Sequence, residues 1–261
     1  MKEKRLEYKK FLKSINLRES TIKNYIWHID KFFDWLKEEP FTEPSFNKYK
    51  DYLIKNYQKV ATINLRLVIL NNFFRFLGKG FKFDLLSDET SVAKVLAPEE
   101  LNKFLEMPSL SKRAVALRDR ALLEVLYSTG LKAGQIIKLK LEHIDDIKKE
   151  FIFDKAHIKI KATAWYHLQK YLTDRQDNDP WLFINMDRAN KKEEKNLTVR
   201  SVERIVAKYG HKMRPVLTIN PQILRNTLAY NLKQQGAGYD NIKKALHFKT
   251  KIGAENYFKR I

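Results

Sequence analysis

No cysteine occurs in the 261 residues, which excludes disulfides and thiolate metal sites. The 6 histidines show no paired spacing of the kind a metal site uses. No apolar run approaches the roughly 20 residues that a membrane span needs. The charged start Met1 to Lys10 has no apolar centre that would make it a signal peptide. These absences point to a soluble cytoplasmic protein with no membrane partner and no metal. Acidic residues are also in deficit, 31 against 51 lysines and arginines, a formal net charge of +20. The excess falls on both sides of residue 95. A general lysine bias raises glutamate in parallel and leaves the balance near neutral, so two basic regions facing one polyanion, nucleic acid, is the stronger reading.

What is present argues for folded domains. Hydrophobic residues make up 44% of the chain and aromatics 12%, enough for two cores. Residues 1–77 read as four helices, about 4–14, 20–36, 43–56 and 61–77. In the second, Ile22, Tyr25, Ile26, Ile29, Phe33 and Leu36 recur on one face after the cap residues Ser20 and Thr21. The fourth runs from Ala61 through Leu65, Ile69 and Phe73 to the terminator Gly78. Periodicity alone gives a basic helical bundle, whose cations Lys23, Arg66 and Arg75 are candidates for nucleic-acid contact.

The turn Gly78-Lys79-Gly80 and the irregular stretch to Lys94 divide the chain into domains at 1–80 and 96–261, with a linker at 81–95. Beyond it, a short helix opens at Pro98 and a longer one covers Val115 to Ser128. Phe151-Ile152-Phe153 and Ile158-Lys159-Ile160 alternate as two strands joined by a polar turn that contains Lys155. Thr163 to Leu172 reads as a helix, Trp181 to Phe183 as a short buried strand and 190–196 as an exposed loop. Thr198 to Lys208 is a basic helix with Arg200, Arg204 and Lys208 at four-residue spacing, either a solvated face or a phosphate-contacting one. Three further helices follow, from Pro221, Tyr239 and about Lys251; Arg225 sits at the start of the first and Tyr257 on the last.

Two segments carry a family resemblance. Asn220-Pro221-Gln222-Ile223-Leu224-Arg225, then Leu246-His247-Phe248, then Tyr257, resembles the C-terminal signature of the tyrosine recombinases, the phage-integrase and Xer-type site-specific recombinases. Arg118-Asp119-Arg120 through Ser128-Thr129-Gly130-Leu131-Lys132 resembles the family's turn that presents its first catalytic arginine. Leu17 to Tyr25 and Thr62 to Leu77 are similar to the family's N-terminal core-binding domain. The fold implied is mainly α: an N-terminal four-helix core-binding (SAM-like) domain, then a mixed, mostly helical catalytic domain with a small β-hairpin or sheet.

The resemblance implies cleavage and rejoining of duplex DNA through a 3′-phosphotyrosine, with no cofactor. Tyr257 would be the nucleophile, Arg225 and Lys132 the charge on the phosphate, and Lys155 the acid for the leaving oxygen, with Lys159 second. Three of the family's catalytic positions are altered here. Lys132 stands for an arginine and replaces a bidentate fork by a point charge. Gln222 and Phe248 stand for histidines; the first cannot shuttle a proton and the second can neither donate nor accept one. Gln135 stands for a glutamate, and His247, one residue from Phe248, aligns with a glycine and reads as structural. Each lost transition-state donor typically costs on the order of 10²–10³ in rate. Two functions therefore stand side by side: a recombinase with altered residues, and a catalytically silent relative that keeps the DNA-binding surfaces. A helix-turn-helix regulator accounts for the charge but for neither motif. Self-association on DNA, as dimer or tetramer, is also implied. With four residues after Tyr257, it would run through the Tyr257 helix or through DNA.

Overall fold

Apolar side chains at helical spacing raise four helices in the first part of the chain among the described residues: α1 (Lys2–Ser14), α2 (Glu19–Leu36), α3 (Glu43–Asn56) and α4 (Val60–Phe76). The structure, a computed structural model, describes residues 2–37, 42–80, 82–87, 92–110, 114–186, 196–248 and 250–261. Helix α2 starts one residue earlier than its Ser20-Thr21 pair suggests: Arg18 takes the cap position, and Ser20 and Thr21 fall inside the first turn. At α3 the Thr42 backbone N–H donates to Ser45 Oγ (3.1 Å), which satisfies a helix-end donor.

The bundle's core is aromatic. Tyr8, Phe32, Tyr49, Phe73 and Phe74 are fully buried, and rings meet edge to face, Phe32 on Tyr49 at 4.9 Å and Phe46 on Phe74 at 4.7 Å. Fully burying a side chain of this size contributes roughly 1.5–3 kcal/mol. Two asparagines on α4 then hold an extended segment. Asn71 exchanges two hydrogen bonds with the Phe83 backbone (2.9 and 2.7 Å), and Asn64 does the same with Leu86 (2.9 and 2.8 Å). Phe83 is thereby locked into the aromatic core.

Compact units span Met1–Ser91 and Val92–Ile261. Of the stretch read as a linker, 81–95, Phe83 and Leu86 are tied to α4, Ala93 and Lys94 to the second unit, and 81 and 88–91 lie outside the described residues.

The second unit contains α5 (Pro98–Glu106), α6 (Ala114–Thr129) and the single turn α7 (Ala133–Ile136). Strands β1 (Ile144–Asp145), β2 (Glu150–Phe153) and β3 (Ala156–Lys159) follow, then α8 (Ala162–Asp174), α9 (Val199–Lys212), α10 (Pro221–Gln234), α11 (Tyr239–Ala245) and α12 (Lys251–Arg260). The expected hairpin gains a third strand, giving an antiparallel sheet in the order β1-β2-β3 with Phe151 opposite both Ile144 and Ile158. Trp181 to Phe183 is not a strand. It makes one isolated bridge, Lys140 to Trp181, while Leu182 and Phe183 are buried as expected. Residues 190–195 of the expected loop lie outside the described residues.

Helix α6 is the centre of this unit, buried on nearly every side, charged residues included. Its Asp119, fully buried, accepts two bonds from Arg118 (3.0 and 2.6 Å), one from Tyr209 Oη (2.8 Å) and one from Lys208 Nζ (3.1 Å). A buried carboxylate is tolerated on these terms because both oxygens are satisfied by charged or hydroxyl donors. Among the described residues, no helix is long and apolar enough to cross a membrane.

Candidate active site

The site forms where α10 meets the turn after α6. Asn220 caps α10 by accepting from the Ile223 N–H (3.0 Å), and Pro221 occupies the first turn, where its missing N–H costs nothing. Gln222, Arg225 and Asn226 follow at i, i+3 and i+4, so they share one helix face.

After α6, Thr129 donates to the Val125 carbonyl (2.6 Å), and Gly130 takes a left-handed φ of 61°. A Cβ on Gly130 would lie 2.4 Å from Leu246 Cδ2 and 3.0 Å from Leu228 Cδ2, so both conformation and space call for glycine. The turn matters because it places the Gly130 carbonyl against Arg225. Nη1 of Arg225 donates to that oxygen, and Nη2 donates to the Leu246 carbonyl at 2.7 Å. Burial at 3% exposure pushes the Arg225 guanidinium down from its ordinary value, and the nearby Tyr257 pulls it back up. Lys132 then caps α7, with its backbone N–H donating to Gln135 Oε1 (3.1 Å). Gln135, read as a departure from a glutamate, thus supplies a side-chain acceptor at the start of α7.

Beyond α11, His247 adopts φ 54°, the left-handed C-terminal stop that glycine normally fills. Burial and the adjacent Arg225 lower its pKa, so it is neutral near pH 7. Its backbone delivers Phe248 to the site. The Phe248 ring lies 5.0 Å from the Arg225 guanidinium and 5.1 Å from the Tyr257 ring, an aromatic wall between the two.

Helix α12 returns to α10 and brings Tyr257 with it. The Tyr257 hydroxyl donates to Asn226 Oδ1 at 2.6 Å, and Gln222 Nε2 stands 3.5 Å from the same hydroxyl, at the limit of a hydrogen bond. Gln222 Nε2 also donates to Asn226 Oδ1 at 2.8 Å. Burial pushes the Tyr257 phenol up, while Arg225, the Gln222 contact and Arg260 draw it down; the net direction is upward.

These residues line a cavity of about 280 Å³: Ala93, Lys132, Gln222, Arg225, Asn226, Phe248, Tyr257 and Arg260. Among the described residues the lining holds three cations and no carboxylate, a composition suited to an anion. Of the six candidate catalytic residues, five meet here: Tyr257, Arg225, Lys132, Gln222 and Phe248. Lys155 does not. It sits exposed in the β2–β3 turn, where Asp154 and Lys155 have φ of 49° and 61°, the signature of a tight two-residue hairpin. Lys159 is in an ion pair with Glu150 at 2.7 Å. Sequence reasoning missed Asn226 and Arg260. Arg260 follows Tyr257 by three residues, one helical turn, which was the available signal.

Of the surface cations singled out, Lys23, Arg75, Arg200 and Arg204 are exposed. Two others are placed differently from the sequence reading. Arg66 is buried, its guanidinium 4.1 Å from the Tyr57 ring and 5.5 Å from the Trp27 ring. It follows Ile63 by three residues and precedes Leu70 by four, so it lies on the core stripe. Lys208 is exposed like Arg200 and Arg204, but its amine is engaged by Asp119 at 3.1 Å. Among the described residues, no cluster of histidine and acidic side chains could hold a metal ion.

A helical bundle followed by a mostly helical unit, with a tyrosine set beside a buried arginine, defines the class: a tyrosine recombinase. Residues 94–260 match the phage integrase family, and the chain belongs to it. The tyrosine recombinase XerA of Pyrococcus horikoshii is 27% identical over 252 residues, covering 92% of this chain and 83% of its own. XerC of Thermodesulfovibrio yellowstonii is 29% identical over 267 residues, covering 90% and 85%. Among solved structures, the Tn1549 transposon integrase in complex with circular intermediate DNA shares the fold, with a TM-score of 0.77 at 18% identity over 98% of this chain and 94% of that one.

Proposed function

We propose that this chain is a site-specific DNA recombinase that cuts and rejoins duplex DNA through a phosphotyrosine at Tyr257. One observation carries the reading: the Tyr257 hydroxyl opens on a cavity lined by Arg225, Lys132 and Arg260 and, among the described residues, by no carboxylate. A phosphodiester drawn into that cavity meets positive charge around its non-bridging oxygens, where charge develops in the transition state. The Tyr257 oxygen forms the bond to phosphorus, and the bond from phosphorus to the 5′-oxygen breaks. The phenolic proton leaves to solvent and the departing oxygen takes one up, so the step is proton-neutral overall. The phosphotyrosine retains the energy of the bond it replaced, so rejoining to a second strand needs no ATP.

Gln222 would donate to a phosphate oxygen as a neutral group by turning to it the N–H that makes only the 3.5 Å contact with the Tyr257 hydroxyl, keeping its bond to Asn226. Lys155 is the candidate acid for the leaving oxygen. From its hairpin tip, Lys155 would reach the cavity only with DNA in place. Exposed Lys23, Arg75, Arg200 and Arg204 are candidates for backbone phosphate contacts. Exchange of both strands between two duplexes consumes four tyrosines, which implies self-association on DNA.

The test is covalent capture. A duplex site is selected from a random-sequence pool by binding, nicked near the cleavage position, and incubated with the protein before denaturing electrophoresis. Parent protein should stay attached to the strand. Tyr257→Phe should bind the duplex as tightly and attach to none of it. Attachment that survives Tyr257→Phe, or a parent that binds and never attaches, would overturn the reading.

A further inference from the structure

The Asn226 amide is hydrogen-bonded through both its nitrogen and its oxygen. Its Nδ2 donates to the Lys94 carbonyl at 3.1 Å, which fixes the orientation of the group; its Oδ1 accepts from Gln222 Nε2 at 2.8 Å and from the Tyr257 hydroxyl at 2.6 Å. Both lone pairs of that oxygen are thus occupied, and the residue is 7% exposed. The Tyr257 proton therefore points at a fixed, neutral acceptor, and the lone pairs of the phenol oxygen face elsewhere, one of them towards Gln222 Nε2 at the 3.5 Å limit of a hydrogen bond. We propose that Asn226 is a positioning residue for the strand-transfer reaction, setting the orientation of the Tyr257 hydroxyl so that a free lone pair meets the phosphate held by Arg225.

This rests on the recombinase reading above. Three features support it. Asn226 is the next residue after Arg225 on α10, so the phosphate cation and the holder of the nucleophile are built on one rigid element, and an error in one moves the other. Gln222, four residues back, buttresses the acceptor rather than standing free in the cavity. The chemistry also suits an amide. A carboxylate in its place would set a negative charge beside an incoming phosphate and hold the phenol proton more firmly, whereas an amide accepts the hydrogen bond with no net charge. The proton must still leave when the bond to phosphorus forms. Asn226 cannot take it, so its role is orientation alone.

Two readouts test the proposal, the rate of covalent attachment at saturating nicked duplex and the titration of the Tyr257 phenol in free protein carrying ring-labelled tyrosine, followed by NMR. Asn226→Ala should slow attachment by about 10²-fold, the scale of a misplaced reacting group, with duplex affinity changed less than twofold. The same variant should move the Tyr257 titration downward, because the bond holding the neutral phenol is gone. Asn226→Asp, which keeps the shape, should also slow attachment and should move the titration upward. A purely structural role would leave the titration where it is. Should Asn226→Ala fail to fold, Asn226→Asp decides. A folded variant that attaches at the parent rate or faster, or whose Tyr257 titration is unmoved, overturns the proposal. A parent that binds and never attaches removes the recombinase reading and this role together, an outcome distinct from a parent that attaches and variants that attach equally well.

Discussion

Two arginines are buried to nearly the same degree, Arg66 in the helical bundle at 7% and Arg225 in the second unit at 3%, and they are compensated in opposite ways. Arg66 is met mainly by ring faces, Tyr57 at 4.1 Å and Trp27 at 5.5 Å, with a hydrogen bond to the Tyr49 hydroxyl beside them, and its Nε has no hydrogen-bond partner among the described residues. Arg225 is met by two backbone carbonyls, Gly130 and Leu246, and its remaining side borders the cavity. Ring faces stabilise a cation diffusely and fix no particular orientation. Carbonyls at a glycine turn and a helix end hold a planar guanidinium in one plane. The first arrangement suits a residue that packs, the second one that must present charge to a ligand at a set angle.

That contrast breaks most sharply at Arg225 itself. Arg225→Ala should reduce covalent attachment by about 10²–10³-fold, the usual cost of one lost transition-state donor, as measured by single-turnover capture of nicked duplex. A loss of less than tenfold would place Arg225 with Arg66 as a packing residue. A second test strikes the carbonyl that holds it. Gly130→Ala forces a left-handed alanine against Leu246 and should cost about 1–3 kcal/mol of stability in denaturant unfolding, with slower attachment by a folded variant. Parent-like stability would mean that the turn is not what locks the arginine. The smallest effect belongs to the bundle. Arg66→Met should leave duplex affinity and its salt dependence unchanged, whereas Arg204→Gln should lower the log–log salt slope by about 0.9, one phosphate contact. A changed slope for Arg66→Met would return that residue to the surface.

The helices were legible because they depend on local rules: leucine and isoleucine stripes gave the helices, and Pro221 and Gly130 marked an element start and a turn. Most of the cavity was legible through the resemblance to the tyrosine recombinases, which grouped Tyr257, Arg225, Lys132, Gln222 and Phe248. What escaped depends on long-range closure. Asn226 reads as one more polar residue on a helix until α12 folds back across 31 positions and sets a hydroxyl 2.6 Å from it. Arg260 reads as a solvated charge for the same reason. Arg66 is a different failure: its place on the Ile63–Leu70 stripe was visible, but a basic residue was assigned to the surface by its charge rather than by its phase. Strand alternation placed Lys155 in a hairpin turn and the resemblance gave it a catalytic role; it occupies that turn, outside the cavity lining.

The asparagine pair on α4 acts as a ruler. Seven residues separate Asn64 from Asn71, and at 1.5 Å per residue along a helix the two amides stand about 10.5 Å apart. The three residues from Phe83 to Leu86 cover about 10 Å when extended. Two repeating structures of different pitch thus come into step over this one interval, and each amide reads both the N–H and the carbonyl of its target residue. A one-residue insertion or deletion between Phe83 and Leu86 would put the second amide out of register by a full backbone unit. The point at which the chain leaves the bundle is therefore set by counting residues, whatever side chains occupy positions 84 and 85.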